Sequence, residues 1–235
     1  MIKIFFIIFS PNKLTLVLLP RIALIFFVSL QILGMIVYPG GTMYDITAEG
    51  YTFSSNFFSD LGTYSSRNGE PNYFSMILFA ISLTIVGITF SIYYISIPRI
   101  FNDDIMNYSL ALIGSFFAIG GSICLIGTGF TPSDIVLEEH IFFANNIFHF
   151  FLITSFLYTI IIFRSNQLDK KYATGYLLFF ISIFIYVFIL QFGPPANAGQ
   201  SALTFQVVSQ KMIVIVFCFS VLHQTFGFEN SNIFN

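Results

Sequence analysis

The sequence predicts an all-α integral membrane protein, a six-transmembrane-helix bundle with a long structured external loop between helices 1 and 2. Three observations predict it. Hydrophobic residues make up 56% of the 235 and charged residues only 9%, against roughly 25% charged in an average soluble domain. The mean hydropathy of +0.85 implies more apolar surface than a fold in water is able to bury. The apolar residues fall in continuous runs of about 20, the length a helix needs to cross the hydrocarbon core. They do not alternate as barrel strands do.

Residues 1–21 are expected to form an N-terminal interfacial or cytoplasmic segment. The apolar run in MIKIFFIIFSPNK is closed by Ser10 and Pro11, too early to span or to act as a signal peptide; a mis-assigned start codon is the alternative. The transmembrane domain covers 22–228 as one unit, and 229–235 form a short cytoplasmic tail. Its spans are read at 22–38, 73–97, 107–130, 141–163, 173–192 and 206–226. Gly114, Ala118, Gly121 and Ser122 place a small-residue stripe on the third span, the composition that lets membrane helices approach closely.

Orientation follows from the basic residues. Of nine, Lys3, Lys13, Arg21, Arg99, Arg164, Lys170 and Lys171 flank the spans on one side, whereas Arg67 falls on the other and Lys211 inside span six. The positive-inside rule therefore puts both termini in the cytoplasm. The external side then receives the loop at about residues 39–72, whose core is SSNFFSDLG at 54–62. A loop longer than about 12–15 residues is usually functional or disordered, and Tyr44, Tyr51, Phe53, Phe57, Phe58 and Tyr64 argue against disorder in water. The loop is expected to lie on the bundle as a lid. Within it, SSNFFSDLG at 54–62, with Ser59 and Gly62 as its turn residues, reads as a short interfacial helix that Gly62 ends in a left-handed cap, a plain decorated loop being the alternative.

The polar residues inside the spans carry the functional reading. TPSD at 131–134 reads as the start of span four, with Thr131 as cap and Pro132 in the first turn. Asp134, Glu138, Asn145 and His149 then fall within about 60° of one another at about 100° per residue, one polar stripe on a Phe-rich helix. Gln206, Gln210 and Lys211 oppose them from span six, and a charged lysine in lipid costs about 2.5 kcal/mol or more unless paired or solvated. Asp60, Asp134 and Glu138 are the candidate partners. One reading is a water-accessible pocket lined by Asp60, Glu138, Asn145, His149, Gln210 and Lys211, binding a lipid headgroup, small amphiphile or protein partner. The other is that Lys211 snorkels to the surface while Asn145 and His149 make structural hydrogen bonds between helices.

Other chemistries find no support. His140 and His149 face opposite sides of a straight helix and His223 lies at the far end of span six, so no metal site is expected. Cys124 and Cys218 lie at different depths by helix rise, which argues against a disulfide. No phosphate-binding loop or basic stripe points to a nucleotide, a nucleic acid or any other cofactor. The protein is read as non-enzymatic, with membrane lipids and other membrane subunits as partners. An enzyme acting on lipid, with Asp60 or Glu138 as base and His149 as acid, is the alternative class; a small transporter is the third.

Ser59, Asp60, Leu61 and Gly62, followed by Pro71 and Phe74 and then by Gly129, Phe130, Pro132 and Asp134 before His140, resemble the pattern of a prokaryotic six-span membrane family known as domain of unknown function 998. That family is similar in layout to the DRAM and Sfk-type membrane proteins. The resemblance implies a six-helix bundle in a prokaryotic plasma membrane with its polar motifs on one side, and it implies no reaction. SQK at 209–211 departs from the acidic-then-basic pattern of that family's closing helix.

Overall fold

The computed structural model describes residues 10–234. The part of the expected N-terminal segment at 1–9, and residue 235 of the tail, lie outside the described residues. Six helices are long and apolar enough to cross a membrane, which suggests an integral membrane protein. They are α1 (Leu19–Val37), α2 (Tyr73–Ser96), α3 (Ile105–Phe130), α4 (Leu137–Arg164), α5 (Ala173–Phe192) and α6 (Gln200–Glu229). Their outward faces are apolar, with Ile36 71% and Phe116 72% exposed, as a helix facing hydrocarbon requires.

The helices pack in sequence order, each on the next, and α6 returns to α1 to close a ring. Close approach on α3 depends on the small-residue stripe. A Cβ at Gly114 would lie 3.0 Å from the Tyr158 ring and one at Gly121 2.9 Å from the Phe151 ring, both rings projecting from α4. Deeper polar groups pair with each other: Tyr158 Oη lies 2.7 Å from Ser115 Oγ, and Tyr94 Oη 3.3 Å from Tyr176 Oη. In hydrocarbon such pairings satisfy hydroxyls that water cannot reach.

One end of the ring, the terminal end, carries Lys13 and Arg21 paired with Glu229, and Arg164 with Asp104. Arg21 also donates to Thr225 and lies over the Phe226 ring, so it closes α1 onto α6 there. The opposite end, the loop end, carries residues 38–72, the turn before α4 and the connection before α6.

Three helix starts differ from the sequence reading by more than two residues. The first helical rod begins at Leu14, not residue 22, with a π-helical turn over Leu14–Leu18. Pro20 follows it, and a widened turn accommodates a residue that has no N–H and crowds the carbonyl one turn back. The sixth helix begins at Gln200, six positions earlier than expected, directly after Gly199 at φ +135°. TPSD is a turn that ends before α4: Ile135 and Val136 donate to the Pro132 carbonyl, and the helix starts at Leu137.

Candidate functional site

Loop 38–72 is ordered around one carboxylate. Asp60 Oδ1 accepts from Arg67 Nε at 3.1 Å and Nη2 at 2.8 Å. Its Oδ2 accepts from the Phe57 amide at 2.9 Å and from Asn56 Nδ2 at 3.2 Å. All four lone-pair positions of the group are engaged. Asn56 in turn donates to the Gly41 carbonyl and accepts from the Thr52 amide, while Asn72 Nδ2 donates to the carbonyls of Leu61 and Thr63. Tyr38 Oη accepts from the Arg67 amide, and burial pushes its hydroxyl pKa up to about 12.

At the centre of this loop Phe58–Gly62 forms a 3-10 turn, shorter than the interfacial helix expected over 54–62. Gly62 is not in the left-handed region; among the described residues the positive-φ glycines are Gly40, Gly41, Gly50, Gly69 and Gly199. Its reason for being glycine is packing, because a Cβ there would strike the Phe79 ring on α2. Leu61 beside it packs against Gly34 of α1. The turn is then fastened to α6, where Gln210 Oε1 accepts from the Phe58 amide at 2.9 Å.

Lys211 is the second fastening. It is 2% exposed, and its Nζ donates to the Asn56 carbonyl at 2.6 Å. The rings of Phe53, Phe58 and Tyr51 surround it with centroids at 4.9, 5.2 and 5.3 Å, near enough for cation–π attraction in a desolvated site. The carboxylates expected as its partners are placed elsewhere. Asp60 pairs with Arg67, Glu138 is exposed, and Asp134 accepts from the amides of Tyr64 and Ser65 at 2.9 and 2.8 Å.

Beneath the turn, on the axis of the ring, lies a cavity of about 130 Å³. All six helices line it: Phe27 and Gln31 from α1, Phe79, Leu83 and Val86 from α2, and Leu125 and Thr128 from α3. Helix α4 adds His140, Ala144 and Phe148, α5 adds Phe179 and Ile183, and α6 adds Gln210, Val214 and Phe217. Phe58 and Ser59 form the roof, and among the described residues no Asp, Glu, Lys or Arg lines the chamber.

Two polar side chains in this wall are informative. Gln31, 3% exposed, donates from Nε2 to Ser82 Oγ at 2.7 Å, but its Oε1 is buried without a partner. An unsatisfied buried acceptor costs about 1–3 kcal/mol, so it needs an explanation. His140 has its Nδ1 2.6 Å from the Thr131 carbonyl, which only accepts, so that nitrogen carries the proton.

Of the residues singled out in the sequence, Ser59 and Gln210 line the chamber, while Asp60, Gly62 and Lys211 build and hold its roof. Asn145 and His149 are half-buried on α4, form no side-chain hydrogen bond among the described residues, and are not part of the chamber wall. The sequence reading placed His149 in the pocket; the structure puts His140, half a turn around the helix, in the wall instead. It also missed Gln31, Asn56, Arg67 and Asn72. Gln31 was detectable as a lone amide in an apolar span, and Arg67 as the one basic residue in its loop. Comparison of the chain with protein-family models, with curated proteins and with solved structures finds no match.

Proposed function

We propose that this chain is a non-enzymatic, multi-pass membrane protein that binds a small uncharged amphiphile in its central chamber. Loop 38–72 then serves as an extracytoplasmic roof. The observation that carries the reading is the chamber itself, apolar, lined by every helix and covered at one end by Phe58 and Ser59 of a loop that Gln210 and Lys211 hold in place. The orientation rests on the basic residues, since Lys13, Arg21, Arg164, Lys170 and Lys171 gather at the terminal end. The layout agrees with what the resemblance to the six-span family implies.

Two features favour binding over catalysis. The carboxylate of Asp60 is saturated by four donors and has no position left for a substrate proton. The chamber wall carries no carboxylate among the described residues. In this reading Lys211 acts on the roof and not on the ligand.

Protein extracted in native-lipid discs and analysed by native mass spectrometry tests the reading. Wild type is expected to carry a small-molecule adduct that Ala144→Phe, which fills the chamber, loses while keeping its fold. A wild type free of adduct, or an adduct retained equally by the filled variant, overturns it.

A further inference from the structure

The chamber's wall also specifies what kind of molecule it takes. We infer that its occupant is an uncharged hydroxylated aromatic ring of phenol size, supplied as a free phenol or as the phenolic ring of a membrane lipid. The inference rests on the binding role proposed above and adds the chemical class.

Size comes first. At about 130 Å³ the cavity is close to the roughly 150 Å³ apolar cavity that holds one benzene ring. Wall chemistry comes next. Phe58, Phe79, Phe148, Phe151, Phe179 and Phe217 all border the space. The Phe217 ring already meets those of Phe151 and Phe179 in tilted pairs, with centroids 6.2 and 5.6 Å apart. A ring entering among them gains the edge-to-face and offset contacts that a saturated chain does not.

Charge and hydrogen-bond polarity complete the argument. With no charged side chain in the wall among the described residues, an anion or a cation entering the chamber would be left without a counterion. Gln31 contributes a buried Oε1 whose sister Nε2 is already engaged with Ser82. His140 keeps its proton on Nδ1 for the Thr131 carbonyl, so the neutral ring presents Nε2 as an acceptor. Two residues of the wall thus each carry an acceptor without a donor among the described residues. A hydroxyl on an aromatic ring supplies one, whereas a bare hydrocarbon, an ether or an ester does not.

Titration calorimetry on the full chain in phosphatidylcholine nanodiscs tests this with phenol, toluene and benzoate, three ligands of like size. Ala144→Phe discs subtract partition into the lipid. Phenol is expected to bind at least tenfold more tightly than toluene, with no benzoate binding. Gln31→Leu should weaken phenol at least threefold, because only His140 is then left to accept its proton, and leave toluene unchanged. If toluene binds wild type as well as phenol does, or benzoate binds, the inference falls while the chamber remains a binding site; this comparison needs no variant at Gln31. If none of the three binds beyond the filled variant, and native mass spectrometry shows wild type empty, the inference and the binding role fall together. Solvent extraction of protein from native discs separates the two sources. Enrichment of a lipid with a hydroxylated ring over protein-free discs assigns the lipid, and its absence alongside phenol binding assigns the free molecule.

Discussion

At the scale of single residues, Lys211 sets two effects against each other. Its ammonium is desolvated with no carboxylate within ion-pair distance among the described residues, which is costly; the Asn56 carbonyl and three ring faces offset that cost. Lys211→Met removes both sides of the balance, so global stability should change by no more than about 1 kcal/mol. The local effect should be larger: chymotrypsin is expected to cut at Phe53, Phe57 or Phe58 far faster in the variant, read by mass spectrometry of the fragments. Equal cutting rates would show that Lys211 does not hold the roof. Tyr38 gives a pH prediction. Its folded pKa is raised to about 12 from 10.0, so between those values the unfolded chain has lost a proton that the folded one keeps. Stability should fall as pH rises from about 10 to 12, and Tyr38→Phe should remove that part of the slope in thermal unfolding.

At the scale of elements, the roof turn depends on one absent side chain. Gly62→Ala puts a Cβ into the Phe79 ring, and a ring packed 4% exposed has little freedom to move. The turn should lift, raising proteolysis of 53–62, while the helices keep their content by circular dichroism. Unaltered proteolysis would mean that Phe79 yields at no cost. Element boundaries also show what was legible in the sequence. The six spans could be read from hydropathy because helix length and bilayer thickness are matched. Their ends could not. Pro20 reads as a stop unless a widened turn precedes it, and the polar start of α6 reads as a loop until Ser55 is seen to accept from Gln200 Nε2 at 3.1 Å. Lys211 and Gln210 stood out because each is polar in an apolar span, and Asp60 because it is a carboxylate in the loop that faces them. The choice between His140 and His149 did not, because a helix rich in Phe on every face does not reveal which face its neighbours cover.

For the whole molecule, the ring has two dissimilar ends. Single cysteines report which side each faces: Glu70→Cys, exposed at the loop end, should react with a membrane-impermeant maleimide on intact cells. Asn166→Cys, exposed at the terminal end, should react only after lysis. The reverse pattern would invert the topology. The fastening of the roof also sets an order of assembly. Phe58 meets Gln210 across 152 residues and Asn56 meets Lys211 across 155, so the first loop must wait for the last helix. During synthesis the early helices are in place long before that partner emerges from the ribosome. Until then the chamber stands open at the top, and a nascent chain arrested before Gln200 should expose the roof segment to protease. Completion of α6 is thus the event that lays the cover on the vessel, so the proposed ligand would meet an uncovered chamber during translation.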